Sequence, residues 1–195
     1  KYIVDAADIR LKGLHNVDNV LVSTLAASLV GVSDVTIRNT VKTFKGLPHR
    51  FQTVAVIDGI EYIDDSKGTT VDSTYRALES CDRDVILIAG GKDKNSDYGA
   101  VRDLISAKVR RLILIGEAAP KIRKALGESA RAADAETMEE AVRMARDLST
   151  GSEIVLLSPM CSSFDMYRDY KERGEVFAKA VMSLRAQSSP TGVCR

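Results

Sequence analysis

Five short apolar segments, separated by segments with helical spacing, constrain the fold of this chain most strongly. Two of them, residues 54–57 and 60–63, are joined at Asp58-Gly59, a pair typical of a two-residue β-hairpin turn. The other three are residues 85–89, 111–115 and 153–157. Strands that are apolar along their length are buried on both faces, as in parallel sheets covered by helices. The pattern therefore predicts an α/β fold with a mostly parallel sheet, one antiparallel strand from the hairpin, and helices on both faces.

Segments with helical spacing lie between these strands, and two more precede the hairpin. The clearest covers residues 137–148, where Thr137 and Glu140 match a capping box. The other helices are predicted at residues 16–30, 33–43, 71–80, 100–107, 120–126 and 172–185, and a weak strand at residues 131–133. Gly46 and Pro48 interrupt the pattern before the hairpin and indicate a domain boundary there.

Length, charge and cysteine spacing exclude several classes of protein. A chain of 195 residues is one large domain, or one domain and a piece of another. Its net charge of +1 gives no electrostatic reason to expect nucleic acid or an anionic membrane, and no apolar run approaches the roughly 20 residues of a membrane span. The three cysteines form no CxxC pair, which argues against a metal site or disulfides and favours the reducing cytoplasm. The lack of an initiating Met suggests a fragment, and residues 186–195 are predicted to be a disordered tail.

Polar loops follow three of the predicted strands. They are residues 64–70 (Asp-Asp-Ser-Lys-Gly-Thr-Thr), 90–97 and 158–165. The carboxyl ends of parallel strands share one edge of a sheet, where α/β proteins bind ligands, and the start of the following helix suits an anion. Taken alone, the first of these loops is better explained as a helix cap and Gly90-Gly91 as a turn, but lysines and several hydroxyls gathered at one edge favour a carboxylate or phosphate site. The chain contains neither GxGxxG nor GxxxxGK[ST], so neither a dinucleotide site nor a complete P-loop is indicated.

Several other residues have ordinary explanations on sequence alone. Asn16 and Asn19 lie one helical turn apart and could both contact a base, although Asn16 is more simply the N-cap of its helix. Arg50 fits a solvated linker, and residues 168–175 fit a solvated helix start. Cys161 has no basic partner nearby in the sequence, so it is not predicted to be a nucleophile.

A series of short strings in a fixed order resembles the Mur ligases. They are residues 11–19 (LKGLHNVDN), 46–50 (GLPHR), 64–69 (DDSKGT), 90–94 (GGKDK), 156–165 (LLSPMCSSFD) and 172–175 (ERGE). The resemblance covers nearly the whole chain, most closely to the members that add D-glutamate. It implies a Rossmann-like, amino-acid-binding C-terminal domain at residues 49–185, preceded by the helical end of a central ATPase domain at residues 1–48. The P-loop, the magnesium ligands and a modified lysine of the family would lie upstream.

The resemblance also implies a reaction. It is the ATP-dependent joining of D-glutamate to UDP-N-acetylmuramoyl-L-alanine, through an acyl phosphate, in the synthesis of peptidoglycan precursors. The full-length enzyme would need ATP and Mg²⁺, whereas this fragment alone would need no cofactor and would be inactive. No nucleic acid or membrane partner is expected, and no residue here is assigned a catalytic or metal-binding role. Matching the motifs assigns nucleotide contacts to Asn16, Asn19, Arg50, Asp65 and Lys67, and D-glutamate contacts to Thr69, Lys94, Ser163 and Tyr170.

Two alternatives stay open. The chain could be a non-catalytic binding or regulatory module that kept the sheet, or part of a Mur ligase that adds another amino acid. The second is disfavoured because the Asp-Asn-Pro-Arg string of the diamino-acid-adding members is absent. The first is disfavoured because a decayed site has no reason to keep five suitable residues together: Asp65, Lys67, Thr69, Lys94 and Ser163. Gly68, Thr70 and Asn95 depart from the alanine, asparagine and glycine that are frequent in the family.

Overall fold

The computed structural model describes residues 2–11 and 13–188, and the chain divides into two compact units, Lys1–Pro48 and His49–Arg195. The first unit is helical and consists of a 3₁₀ turn at Ala6–Asp8 followed by α1 (Leu14–Leu29) and α2 (Asp34–Thr43). The Ser33 hydroxyl caps α2 by accepting a hydrogen bond from the Thr36 N–H at 3.2 Å.

Contacts distant in sequence hold the first unit together. The Arg38 guanidinium donates from Nε to the Ile3 carbonyl at 2.7 Å, and Lys42 pairs with Asp8 at 2.8 Å. The helices predicted here are confirmed. Leu21, on α1, is 61% exposed, because no described residue of this unit covers it.

The second unit contains a six-stranded sheet in the order β1-β2-β6-β3-β4-β5. Its strands are β1 (Gln52–Ile57), β2 (Ile60–Asp64), β3 (Val85–Gly90), β4 (Val109–Ile115), β5 (Arg131–Asp134) and β6 (Ile154–Leu157). β1 pairs antiparallel with β2, and the four other neighbouring pairs are parallel. Asp58 and Gly59 both have positive φ, which is the geometry of a tight hairpin turn. The predicted mostly parallel sheet with one antiparallel strand is therefore confirmed.

Helices cover both faces of this sheet. They are α3 (Val71–Glu79), α4 (Arg102–Lys108), α5 (Ala119–Leu126), α6 (Met138–Leu148) and α7 (Tyr170–Ser188). The first three pack on one face, and α6 and α7 pack on the other. Along β3, Leu87 belongs to the first core, whereas Ile86 and Ile88 belong to the second. Because each central strand supplies both cores, its whole length is apolar.

The last helix differs most from the prediction. It begins at Tyr170 rather than near Glu172, because the Asp169 carboxylate accepts the N–H groups of Lys171 and Glu172 at 2.9 Å and caps the helix. It also continues to Ser188, three residues into the segment predicted to be a disordered tail. The rest of the predicted tail, residues 189–195, lies outside the described residues.

Candidate functional site: one edge of the sheet

The three polar loops lie side by side along one edge of the sheet. The first loop (residues 64–70) follows β2, the second loop (residues 90–97) follows β3, and the third loop (residues 158–165) follows β6, the strand between them. Backbone hydrogen bonds join the third loop to both others. The Met160 N–H donates to the Gly68 carbonyl at 3.1 Å, and the Gly90 N–H donates to the Pro159 carbonyl at 2.9 Å. The predicted juxtaposition of the loops is therefore present.

Two glycines allow the second loop to approach its neighbours closely. Gly90 and Gly91 have φ angles of 126° and 127°, which other residues adopt only with strain. A Cβ at Gly90 would overlap the Ile115 carbonyl, and one at Gly91 would overlap the Ser162 carbonyl. The second loop can thus lie directly against the end of β4 and against the third loop.

The ammonium group of Lys94 bridges the first and second loops. Its Nζ lies 3.5 Å from the Thr69 hydroxyl, and Lys94 itself is exposed. The first loop ends where the Thr70 hydroxyl accepts the Ser73 N–H at 3.2 Å and caps α3. No carboxylate in the described part of the chain forms an ion pair with Lys94. Its charge is therefore available to an anion at this edge.

Lys67 and Tyr170 are also brought together, although the resemblance assigns them to different ligands. The Lys67 ammonium lies 4.9 Å from the centre of the Tyr170 ring and 3.3 Å from its hydroxyl. The same ring meets the His49 ring edge-on, with 6.2 Å between the centroids. Tyr170 therefore holds the Lys67 side chain by a cation–π contact and a hydrogen bond.

Asp65 is buried, and its carboxylate is engaged by the protein on both oxygens. Oδ1 accepts the Phe51 N–H at 3.2 Å, and Oδ2 accepts the Ser158 hydroxyl at 2.8 Å. Burial raises the pKa of Asp65 to about 6, and the hydrogen bonds from Ser158 and Phe51 and the charge of Arg50 limit that rise. Asp65 joins the first loop to the third loop and to the turn before β1. Its assigned contact with nucleotide stays a prediction, as does that of the exposed Arg50.

A histidine that sequence patterns assign no role anchors the start of the first loop. His49 Nδ1 lies 2.8 Å from the buried Asp64 carboxylate, whose other oxygen accepts the Ser66 N–H at 2.8 Å. The His49 carbonyl accepts the Lys67 N–H at 3.0 Å. Sequence alone does not reveal this pair, because fifteen positions and a β-hairpin separate the two side chains.

A chain of polar side chains anchors the second loop. Asp93 accepts hydrogen bonds from Lys121 at 2.7 Å and from the Tyr98 hydroxyl at 2.8 Å, and the Lys121 bond is the main reason that its pKa falls to about 2. The Tyr98 hydroxyl also lies 3.0 Å from the Cys161 thiol on the third loop. Burial raises the pKa of Cys161 to about 11, so the thiol is protonated at neutral pH.

The third loop folds back on itself at Ser163. The Ser163 carbonyl accepts the N–H groups of Met166 at 3.1 Å and Tyr167 at 2.8 Å, and the residue is 2% exposed. Asp165 ties this loop to the turn after β4, because its Oδ2 accepts the Glu117 N–H at 2.9 Å. The backbone of Ser163 is fixed by these bonds, and the contact assigned between its hydroxyl and D-glutamate stays a prediction.

Arg173 contradicts the prediction that residues 168–175 form a solvated helix start. It is 1% exposed, whereas its neighbour Lys171 is exposed. Its guanidinium donates to Ser66 on the first loop and to Cys161 on the third. These partners are far apart in sequence, so a local pattern of charged residues could not reveal them.

The two asparagines assigned to adenine belong to the first unit. Asn16 and Asn19 lie on α1, three residues apart. The N-cap of α1 is Gly13, with φ 96°, so Asn16 is the third residue of the helix and its predicted capping role is wrong. Their contact with a base stays a prediction.

An open groove of about 400 Å³ lies beside the first and second loops. It is lined by Val71, Asp72, Tyr75, Ser96, Asp97 and Ala100. Two carboxylates and no cation face it, so it does not suit an acidic ligand. Within residues 2–11 and 13–188, no group of three or more His, Cys, Asp or Glu side chains could hold a metal ion, and no helix there is long and apolar enough to cross a membrane.

The fold and the three loops define an α/β domain that offers a cation and hydroxyl groups at the carboxyl ends of its parallel strands. Residues 49–161 match the family described as "Mur ligase, glutamate ligase domain". The chain belongs to this family, and the matched segment runs from the turn before β1 into the third loop.

Longer proteins with similar sequences are called UDP-N-acetylmuramoylalanine–D-glutamate ligase. The one from Geobacter sp. (strain M21) is 46% identical over 172 residues, which are 88% of this chain and 38% of that protein. The one from Syntrophotalea carbinolica is 45% identical over 181 residues, which are 93% of this chain and 40% of that protein. The chain thus spans about two fifths of the length of these relatives.

Solved structures share the fold at low sequence identity. The UDP-N-acetylmuramate–alanine ligase MurC from Thermotoga maritima has a TM-score of 0.67 and 16% identity, covering 89% of this chain and 39% of that one. A pseudomurein peptide ligase type C from Methanothermus fervidus has a TM-score of 0.66 and 15% identity, covering 88% of this chain and 36% of that one. At these identities the likeness establishes the fold alone.

Proposed function

We propose that this chain is the D-glutamate-binding part of an ATP-dependent ligase that joins D-glutamate to UDP-N-acetylmuramoyl-L-alanine. The observation that supports this most directly is the approach of Lys94 to Thr69, at 3.5 Å, across two strand-end loops. A dicarboxylate ligand needs a cation and hydroxyl or N–H donors close together, and this edge of the sheet offers them. The glutamate ligase domain match and the names of the relatives support the same amino acid.

In this proposal three side chains of the second unit hold the amino acid, and a fourth lies beside it. Lys94 forms a charge-assisted hydrogen bond with one carboxylate, while the hydroxyls of Thr69 and Ser163 donate to the carboxylate oxygens. Tyr170 borders the site and keeps the Lys67 ammonium at its margin. Recognition through both carboxylates leaves the amino group of D-glutamate free to react.

The nucleotide is the second ligand of the proposed reaction. Lys67 and the exposed Arg50 supply cations for its phosphates, and Asp65 is assigned to its ribose or phosphates. We assign adenine contacts to Asn16 and Asn19 from the resemblance alone. Mg²⁺ would accompany ATP. The described residues contain no cluster of His, Cys, Asp or Glu side chains that could coordinate it, so no metal ligand and no metal-dependent step is assigned to them.

The proposed reaction has two steps. The carboxylate of UDP-N-acetylmuramoyl-L-alanine takes the γ-phosphate of ATP, which forms an acyl phosphate and releases ADP. The amine of D-glutamate then attacks the acyl carbon, so that an amide forms, phosphate leaves and the amine loses a proton. The part of this chain is to hold the amine in position, and fixing two reactants in place can lower a barrier by about 7–11 kcal/mol. The product would be a cytoplasmic peptidoglycan precursor.

The test is steady-state kinetics of the full-length protein with D-glutamate varied and ATP saturating. Lys94→Ala should raise the KM for D-glutamate by about ten- to a hundredfold, since a charge-assisted hydrogen bond contributes about 1.5–3 kcal/mol. Lys92→Ala is the matched control, because Lys92 lies on the same loop and contributes only backbone groups to the contacts there. Equal KM values for Lys94→Ala and the unmodified protein would reject this site.

The 195-residue chain itself provides a second test. It lacks a P-loop sequence, so it should release no phosphate above background when mixed with ATP, Mg²⁺ and both substrates. Phosphate release that depends on the purified chain would contradict the assignment of ATP turnover to other parts of the enzyme. If the full-length protein formed no amide with D-glutamate, the alternative of a non-catalytic module would be favoured.

A further inference from the structure

A buried cation lies beneath the three loops, and the proposed reaction gives it no role. Arg173, on α7, is the largest of the fully buried side chains. Its Nε donates to the Ser66 hydroxyl at 2.9 Å, and its Nη2 donates to the Ser66 carbonyl at 2.8 Å. Both Nη atoms donate to the Cys161 carbonyl at 3.2 Å. The planar guanidinium thus forms hydrogen bonds with the first loop and the third loop at once.

The same guanidinium reaches the remaining loop. A Cβ placed on Gly91 would lie 3.1 Å from Arg173 Nη1, so the second loop passes directly over the charged group. Each contacted residue is close in sequence to a residue assigned to the amino acid. Ser66 precedes Thr69, Gly91 precedes Lys94, and Cys161 precedes Ser163, in each case by two or three positions. A shift of Arg173 would therefore move all three assigned residues.

The surroundings of Arg173 argue against a purely stabilising ion pair. Within the described part of the chain its partners are neutral hydroxyl and carbonyl oxygens, and no carboxylate pairs with it. Burial lowers the pKa of the guanidinium to about 10, which reflects the cost of removing its charge from water. An apolar side chain of similar size would fill the space without this cost, and buried charges are in general weak evidence for stability. The planar geometry of the guanidinium is what an apolar side chain could not supply.

We propose that Arg173 is a positioning residue for the amino-acid substrate: its guanidinium fixes the first, second and third loops relative to one another, and thereby sets the separation of Thr69, Lys94 and Ser163. This inference rests on the proposed function of the three loops. It assigns no contact between Arg173 and the substrate. A lysine at this position would keep the positive charge but lack the planar guanidinium, so it should not replace Arg173.

The test compares Arg173→Lys with Arg185→Lys in the full-length protein. Both changes keep the charge and lie on α7, but Arg185 is exposed. Arg173→Lys should raise the KM for D-glutamate by about tenfold or more, because small displacements of binding groups have large effects on a constrained site. The KM for UDP-N-acetylmuramoyl-L-alanine should change little, and Arg185→Lys should match the unmodified protein. A residue that only stabilised the fold would lower the melting temperature and the active fraction without changing the KM of the folded enzyme.

Two outcomes separate this inference from the proposed function. If the unmodified protein adds D-glutamate and Arg173→Lys keeps its KM, the positioning role is wrong while the proposed function stands. If the unmodified protein does not use D-glutamate, the proposed function fails first. Should Arg173→Lys not fold, Ser66→Ala decides the question. It removes the acceptor of Nε and leaves the contact of Nη2 with the Ser66 carbonyl, and it also removes the hydrogen bond that the Ser66 hydroxyl donates to the Tyr170 carbonyl. It should raise the same KM by a smaller factor, and an unchanged KM would overturn the inference.

Discussion

Asp65 and Ser158 share a hydrogen bond of 2.8 Å although 93 positions separate them in the chain. The Ser158 hydroxyl donates to the buried carboxylate and also lies 2.8 Å from the hydroxyl of Thr74, at the start of α3. Three elements therefore meet at one ionisable group whose burial raises its pKa to about 6. The protonation of Asp65 should be measurable as a dependence of stability on pH.

We expect Asp65→Asn to change how stability depends on pH. The pKa of Asp65 is about 6 in the folded chain and about 3.9 in the unfolded chain. Between these two pH values the folded chain binds more protons than the unfolded chain, so the unmodified protein loses stability as pH rises from about 4 to about 6. Relative to the unmodified chain, the variant should gain up to about 3 kcal/mol in free energy of unfolding from about pH 4 to pH 6. Urea denaturation of the chain at each pH measures this difference.

Asp93→Asn is the control of opposite sign. The pKa of Asp93 is lowered to about 2, mainly by the Lys121 hydrogen bond. Its stabilising effect is therefore present above the unfolded-state pKa of about 3.9 and is lost as pH falls toward 2. For Asp65, the contradicting outcome is a difference in free energy of unfolding between Asp65→Asn and the unmodified chain that stays constant from pH 4 to pH 6. Such a result would contradict the burial of the Asp65 carboxylate.

A second prediction separates the ring of Tyr170 from its hydroxyl. Tyr170→Phe keeps the cation–π contact with Lys67 and should change the KM for ATP or D-glutamate by less than about threefold. Tyr170→Ala removes the ring and leaves Lys67 unrestrained, so both KM values should rise by more than about threefold. The measurement is steady-state kinetics of the full-length protein. Equal effects of the two variants would show that the hydroxyl, rather than the ring, positions the ammonium.

A third prediction uses two glycines of the second unit that both have positive φ. Gly90 has φ 126° and Gly151 has φ 96°. A Cβ at Gly151 would meet the Asp58 carbonyl at 3.5 Å, an ordinary contact, whereas one at Gly90 would overlap the Ile115 carbonyl. Gly151→Ala should therefore cost about 1–2 kcal/mol in free energy of unfolding, and Gly90→Ala clearly more. Urea denaturation of both variants decides this, and equal costs would refute the close approach at Gly90.

A fourth prediction concerns thiol reactivity. Cys161 is buried against Tyr98, and its pKa is raised to about 11, so little thiolate exists at neutral pH. Iodoacetamide should leave it unmodified in the native chain at pH 7 and modify it fully in urea. Mass spectrometry of the peptide that contains Cys161 gives the extent of labelling. Rapid labelling of the native chain would mean that the third loop opens readily.

The fold was largely predictable, because its signals are local. Continuous apolar runs mark the central strands, Asp58-Gly59 marks the hairpin, and the boundary of each loop follows from the end of a strand. The juxtaposition of the loops then follows from the rule that parallel strands share a carboxyl edge. The family resemblance was also predictable, since its motifs occupy these loops.

The anchoring of the site was not predictable, because its partners are distant in sequence. Arg173 is a charged residue among other charged residues, and only its contacts with Ser66 and Cys161 explain its burial. One local signal was available. Gly174 interrupts a helical pattern, and a Cβ there would overlap His49 and Asp64, so this helical glycine has a packing reason. The sequence analysis placed the N-cap of α1 at Asn16, whereas the helix begins after Gly13. The backbone of Gly13 has a positive φ, and this conformation sets the boundary.

The position of β6 determines when the sheet can be completed. β6 is the last strand along the chain, yet it lies between β2 and β3, so until it emerges from the ribosome the β1–β2 hairpin has no bond to β3, β4 and β5. Such non-local pairing is slow and leaves strand edges exposed in the meantime. A nascent chain that stops before β6 would therefore expose two additional strand edges, on β2 and β3, which makes premature termination in this region prone to aggregation. Insertion of this single strand joins the two halves and brings the three loops together in the same event.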